Sequence, residues 1–321
     1  IELSKVSYTP NNVKTDVLGE KQVTYTVTNS WGQTTSIVRK FNIIPKNDID
    51  GVRLKLKSST DESSSKDGTS QIEKIKKRDK LIVGVFTDKP PFGSINEKGE
   101  NDGFDIALAK QFAKDLLGDE NKIEFVPVEA SSRVPFLQSD KVDIIMANMT
   151  VTPDREKVVD FANPYMKVAI QLLSNDNDNI KSIQDLKGKK LIVNKGTTAD
   201  IFFTKNYPDI ELLRFDQNTE AFQALKDGRG VALAHDSLLL YAWAKTNPGF
   251  SIVNEKLEEP SPIAPAVKKG NTELRDWINN ELVELGKQNF LHKLYEEKLK
   301  DAFGGAVKSP DEVVTEGGIL K

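Results

Sequence analysis

Three turns in this sequence carry residues that could hold a small charged molecule. Arg155 follows the apolar run Val142–Met146 and the polar turn Thr150-Val151-Thr152-Pro153-Asp154. Thr152 is a good helix N-cap, and Pro153 fits the first helical position, whose N–H would be unpaired in any case. Arg155 then falls in the first helical turn, where the macrodipole disfavours a cation by a few tenths of a kcal/mol. Either it pairs with Asp154 or Glu156 on a solvated face, or an anion sits beside it. In Lys195-Gly196-Thr197-Thr198-Ala199-Asp200, Gly196 permits a tight turn and Thr197/Asp200 has capping-box spacing. The free N–H groups of such a helix start bind anions, although an ordinary N-cap reads the same way. In His235-Asp236-Ser237 a strand gives way to a helix, and Asp236 either caps that helix or holds a cation. His235 alone reads as a structural histidine. Taken together, Arg155 and the Thr197/Thr198 amides would take a carboxylate, and Asp236 an ammonium. Charge-assisted hydrogen bonds of about 1.5–3 kcal/mol each, four or five of them less ordering costs, reach about −8 kcal/mol, a micromolar affinity.

The elements that must position these turns alternate from Gln71 onward. Leu81–Phe86 is a continuous apolar run, as in a strand buried on both faces. Phe104, Leu108, Phe112 and Leu116 recur every four residues, and Gly118 stops that helix. Strands follow at Ile123–Val128 and Val142–Met146, and the βαβ rhythm implies a mainly parallel sheet with helices on its faces. A second series has strands at Leu191–Asn194, Leu212–Phe215 and Val231–Ala234, with helices over Thr198–Lys205, Thr219–Lys226 and Ser237–Lys245. Two amphipathic helices, Thr272–Lys287 and Asn289–Phe303, close the chain. The expected fold class is α/β, with two lobes joined by extended segments around Val168–Ser174 and Ser251–Ala266. A ligand cleft between lobes, closed by hinge motion, suits that arrangement. Lobe 1 is expected over about 71–167 and 260–321, lobe 2 over about 168–259.

The N-terminal part has a different texture. Residues 23–28 and 37–43 alternate apolar and polar around Asn29-Ser30-Trp31-Gly32-Gln33, which predicts two antiparallel strands joined by a turn. Val23, Tyr25 and Val27 with Ile37, Phe41 and Ile43 would supply one buried face, and Trp31 reads as a packing residue. A piece of this size has little core of its own. Residues 1–47 are therefore read as part of an all-β domain, and 48–70, with the Ser-rich tract from Ser58 to Ser70, as a flexible linker.

Composition narrows the function classes. Of 321 residues, 38% are hydrophobic and 29% charged, and 45 basic against 48 acidic side chains leave a formal charge of −3, which gives no bias toward nucleic acid. No apolar run reaches the ~18–20 residues of a bilayer span. A targeting segment is expected to be absent or already removed. With no cysteine and two histidines, disulfides, thiolate catalysis and Cys- or His-rich metal sites are not expected, nor is any cofactor.

At this point a resemblance becomes specific. LIVGVFTDKPPFG, GFDIALAKQFA, TVTPDREKVVDFANPYM, LIVNKGTTAD and FQALKDGRGVALAHD, spread over about residues 75–310, look like the polar amino-acid solute-binding proteins of ABC importers. NKGTTAD, FDQNTEAFQALKDGRGVALAHD, AWAKTNPGF and IAPAVKKG are similar to the cysteine-binding members. The resemblance implies a type II periplasmic-binding-protein fold that captures a free amino acid, cysteine favoured, and delivers it to a membrane permease. It assigns the carboxylate site to Arg155, Thr197 and Thr198 and the amine site to Asp236, with Asn148 and Thr150 contributing. It places Arg133 and Phe86 in the side-chain pocket. Members preferring acidic amino acids tend to carry a basic residue at the position of Phe86, so Phe86 tilts the pocket toward a smaller, less charged side chain. Arg133 cuts the other way and keeps glutamate and aspartate open. Residues 1–47 resemble the closing strands of bacterial immunoglobulin-like surface repeats. The chain is expected to act as an extracellular, surface-associated monomer, of Gram-positive type. Two other classes stay open, a sensor or adhesin module and a dehydratase on the same scaffold, for which Asp200 or Glu129 would be the general acid.

Overall fold

The protein is described by a computed structural model, which covers residues 19–28, 34–43 and 70–320. The chain divides between Ser64 and Ser65 into two units. Within the first, Gly19–Thr28 and Thr34–Ile43 pair as antiparallel strands, in a register that sets Thr28 opposite Thr34 and Gly19 opposite Ile43. That pairing extends beyond the alternating segments at both ends. The connecting turn with Trp31, the strands' side chains and most of the 48–70 segment lie outside the described residues. Ser70 does not belong to a linker: its side chain accepts from the Glu73 N–H and Glu73 accepts from the Ser70 N–H, capping a helix over Gln71–Arg78.

The second unit has two lobes, each built on a five-stranded sheet. The first sheet runs, in spatial order, Ile123–Pro127, Leu81–Val85, Ile144–Ile145, Ala266–Lys268, Val159–Phe161. The second runs Glu211–Phe215, Lys190–Asn194, Ala232–Asp236, Ile170–Asn175, Phe250–Ile252. As expected, each sheet is mainly parallel: four strands run one way and one runs against them, Ala266–Lys268 in the first and Ile170–Asn175 in the second, each antiparallel to both of its neighbours. Each reversed strand is the first that the chain enters in that sheet after crossing from the other lobe.

The crossings themselves form a ribbon. Met166–Val168 pairs antiparallel with Ser261–Ile263. The C-terminal segment lies on its other edge, where the Lys167 N–H donates to the Val313 carbonyl (2.9 Å) and the Thr315 N–H to the Tyr165 carbonyl (3.1 Å). Closure of two lobes turns on a few residues in connections such as these.

Packing follows from periodicity. Phe104, Leu108 and Phe112, all fully buried, line the inner face of the helix Phe104–Leu117, and Phe112 meets the Trp277 ring edge-on at 6.0 Å. Trp277 belongs to the helix Thr272–Gly286, after which Asn289, in the left-handed region, starts the helix Phe290–Lys298. That last helix ends five residues before Phe303, short of its expected length. Its N-terminal amides are satisfied by a distant side chain, Glu316, which accepts from the Leu291 and His292 N–H groups (3.2 and 2.8 Å). The His292 ring lies between Glu316 at 2.7 Å and Asp311 at 2.9 Å. The Glu316 hydrogen bond, with Asp311 adding to it, raises the His292 pKa above its ordinary value. A group raised on folding stabilises fully below its unfolded pKa, about 6.5, and loses that contribution as pH climbs through the folded value. His292→Gln should therefore lower the melting temperature at pH 5.5 by more than at pH 9, an effect of about 0.5–1 kcal/mol for this partly exposed pair. Equal losses at the two pH values in thermal melts would contradict it.

Candidate functional site

The site lies where strand ends of both lobes meet. Phe86 follows Leu81–Val85 directly, Asn148 and Thr150 follow Ile144–Ile145, and Arg155 sits on the four-residue helix Pro153–Glu156. From the other lobe, Thr197 and Thr198 follow Lys190–Asn194 and open the helix Thr198–Asn206, while Asp236 ends Ala232–Asp236. These residues line one pocket with Arg133, Lys89 and His235, a cavity of only about 10 Å³ between the two lobes.

Arg155 is where its turn required. Pro153 occupies the first helical turn, and the Thr152 hydroxyl accepts from the Arg155 N–H at 3.3 Å. The solvated pairing with Asp154 or Glu156 does not form: Lys157 takes Asp154 instead, at 2.6 Å. The Arg155 guanidinium is buried, with Nη1 donating to the Thr150 carbonyl (2.8 Å) and Nη2 crossing to the Gly196 carbonyl of the other lobe (3.1 Å). Burial lowers its pKa to about 10, Asp236 pulling it back up, so it is charged at neutral pH. Five guanidinium N–H groups are available and these contacts leave donors to spare.

Arg133 approaches the same carbonyl. Its Nε donates to Ala130 (3.0 Å), Nη1 to Ala147 (2.9 Å) and Asn148 (3.2 Å), and Nη2 to Gly196 (3.5 Å), all main-chain oxygens. Burial pushes its pKa well down, with Arg155 adding to the effect and Asp236 opposing it. Asn148 sits at φ 44°, and its N–H donates to Asp105 at 3.3 Å. Burial raises the Asp105 carboxyl to about 8, so at neutral pH it stands largely protonated behind this turn.

Across the cleft, the Thr197 hydroxyl accepts from the Asp200 N–H (3.2 Å) and donates to the Asn194 carbonyl (2.7 Å). The amides of Thr198 and Ala199, at the helix start, have no intrahelical acceptor. Asp200 does not face the pocket: it accepts from the Gly196 N–H (3.1 Å) and from Arg214 Nε (2.7 Å), which fixes the turn from behind. Glu129 does not line the pocket either.

Asp236 stands at the head of the helix Ser237–Thr246, yet its side chain makes no capping bond and is 6% exposed. Burial raises its carboxyl, against the pull of Lys89, Arg133 and Arg155. His235 Nδ1 accepts the Asp236 N–H at 2.7 Å, which puts any ring proton of the neutral form on Nε2, a buried atom with no partner. Burial first, then Lys89 and Arg133, hold the ring well below its ordinary pKa and so neutral.

Lys89 did not stand out in the sequence. It is 2% exposed, its Nζ lies 3.5 Å from the centroid of the Phe86 ring, and burial lowers it to about 8. The Arg133 guanidinium lies 5.6 Å from the same ring. The lobes also meet beside the site, where the Asn218 N–H donates to Asp88 (2.7 Å) and its amide to the Asp88 carbonyl (3.1 Å).

Residues 81–300 match the family described as bacterial extracellular solute-binding proteins, family 3. The chain belongs to this family. It is 37% identical over 247 residues to an ABC transporter glutamine-binding protein of Bacillus subtilis, covering 76% of this chain and 90% of that protein. Two solved structures are more similar. A cysteine-binding protein from Campylobacter jejuni is 54% identical, with a TM-score of 0.76 over 77% of this chain and all (100%) of that one. A solute receptor for L-cysteine from Neisseria gonorrhoeae is 51% identical, with a TM-score of 0.74 over 76% of this chain and 99% of the other. The two lobes and paired hinge are thus the type II periplasmic-binding-protein fold. Among the described residues no helix is long and apolar enough to cross a membrane.

Proposed function

We propose that this protein captures a free amino acid, cysteine in the first place, by closing its two lobes around it, and hands it to the permease of an ABC importer. One observation carries the reading: Arg155 and the Thr197/Thr198 turn stand on opposite lobes, drawn together through the Gly196 carbonyl, with the uncapped Asp236 beside them. A carboxylate accepts from the remaining Arg155 donors and the free amides, and an ammonium donates to Asp236. The carboxylate draws its partners from both lobes, so the ligand favours the closed form by the difference in its affinity for the two states. A permease that docks only the closed form then moves only loaded protein. The order of candidates follows the relatives: the two cysteine-binding structures exceed half identity, the glutamine-binding relative does not. Glutamate and aspartate follow from the basic residues around Phe86. Asp200 and Glu129 lie outside the pocket lining, which favours binding without catalysis.

For residues 1–47 we read an immunoglobulin-like spacer module, on the strength of the long antiparallel register of its two strands. A thermal-shift panel tests the ligand. On protein stripped of carried-over amino acid, cysteine at a hundred times its Kd should add about 2.7 kcal/mol of apparent stability. A panel of the common amino acids and cystine in which none moves the midpoint would contradict the reading.

A further inference from the structure

The charges lining the pocket do not balance. Three buried cations, Lys89, Arg133 and Arg155, face a single carboxylate, Asp236, and His235 beside them is held neutral. Arginine keeps its proton in proteins, so Arg133 and Arg155 contribute two positive charges whatever their surroundings. Asp88, the acid that acts most strongly on Lys89, and Glu129 both lie outside the lining and are only half-buried, where solvent screens them. Asp105, behind Asn148 and beside Tyr165, is largely protonated at neutral pH and adds no charge. An amino-acid zwitterion with a neutral side chain spends its carboxylate on Arg155 and its ammonium on Asp236. That leaves Lys89 and Arg133, both near the Phe86 ring, to share Asp236 with the ligand's ammonium.

Resting on the amino-acid reading above, we propose that the site takes its ligand as a net anion, so that cysteine is bound as the thiolate with Lys89 and Arg133 as its counter-ions. The thiol proton passes to bulk water, and no bond is made or broken beyond that S–H. Ligands whose side chain already carries a carboxylate enter without proton exchange. The basic residue that reads the side chain is then Lys89, three positions beyond Phe86, rather than a residue at Phe86 itself. A free thiol ionises near 8.5, so at pH 7 nearly all free cysteine must lose one proton on binding. Lys89, lowered by burial to about 8, is mostly charged at that pH and its ammonium is further favoured by the thiolate.

Calorimetry of stripped protein with cysteine at pH 7, in phosphate, HEPES and Tris, reads the proton directly from the dependence of the heat on buffer ionisation. Release of close to one proton is expected, and the cysteine affinity should rise nearly tenfold between pH 6 and pH 7. Serine differs from cysteine by one atom and cannot ionise there, and should bind at least tenfold more weakly. In Lys89→Met the proton release should shrink toward zero and cysteine should weaken tenfold or more, with the melting curve confirming a folded protein. Cysteine binding with no proton release, or serine binding as tightly as cysteine, overturns the proposal while the amino-acid reading stands. Tight binding of glutamine with no response to cysteine overturns it in the same way. If no amino acid binds, the reading beneath it falls as well.

Discussion

Arg155→Ala should abolish measurable amino-acid binding and leave the fold intact. The side chain is buried in the cleft, on a four-residue helix, outside the apolar cores of both lobes. Its removal strips the carboxylate of its cation, leaves the Thr150 carbonyl without its Arg155 donor and leaves the Gly196 carbonyl with only the longer Arg133 contact. Breaking a buried charge pair by removing one partner costs about 3–5 kcal/mol, which turns a micromolar ligand into one of roughly millimolar affinity. Arg155→Lys keeps the charge but loses the fork that reaches two carbonyls at once, and should fall between wild type and Ala. Titration calorimetry with cysteine measures the loss, and circular dichroism the fold. Unchanged affinity in the Ala variant would remove Arg155 from the site.

Gly196→Ala separates closure from the chemistry of the pocket. Gly196 has φ +79°, and a Cβ there would lie 2.9 Å from the Cα of Ser131, which belongs to the opposite lobe. The left-handed backbone alone costs alanine about 1–2 kcal/mol, and that cost is carried by the second lobe in either state. The clash with Ser131 exists only when the lobes meet, and main chain cannot yield as a flexible side chain would. Stripped Gly196→Ala protein should melt slightly lower than wild type, while its affinity for cysteine falls tenfold or more. An affinity within twofold of wild type would mean that the lobes bind their ligand without approaching this closely.

What the sequence made legible was the chemistry at strand ends. Thr152-Pro153, Gly196-Thr197 and His235-Asp236 are local signals, because caps and tight turns are specified by residues within four positions of each other. Asp236 could be weighed against an ordinary capping role, and the structure removes that role by leaving its carboxylate uncapped. Lys89 was illegible for a physical reason. It lies in a two-residue strand, Asp88–Lys89, too short for period-two alternation to say which way a side chain points. Only tertiary placement puts its ammonium over Phe86. His235 read as structural, and half of that reading holds: Nδ1 serves the main chain, while Nε2 is left at the pocket. The antiparallel strands escaped notice because an apolar run such as Ile170-Gln171-Leu172-Leu173 reports burial and is silent on direction. Direction is fixed by where the chain crosses between lobes. The same limit applies to Glu316, whose capping of a helix 25 residues earlier leaves no mark in local spacing.

The sharpest test of capture by closure is small-angle X-ray scattering on protein stripped of amino acid, recorded with and without saturating cysteine. Comparison with the Gly196→Ala variant under the same conditions isolates the lobes from the N-terminal segment. Cysteine should lower the radius of gyration of the wild type and leave the variant nearly unmoved at the same concentration. Cysteine bound by the wild type, as calorimetry would show, with no change in its scattering would contradict it.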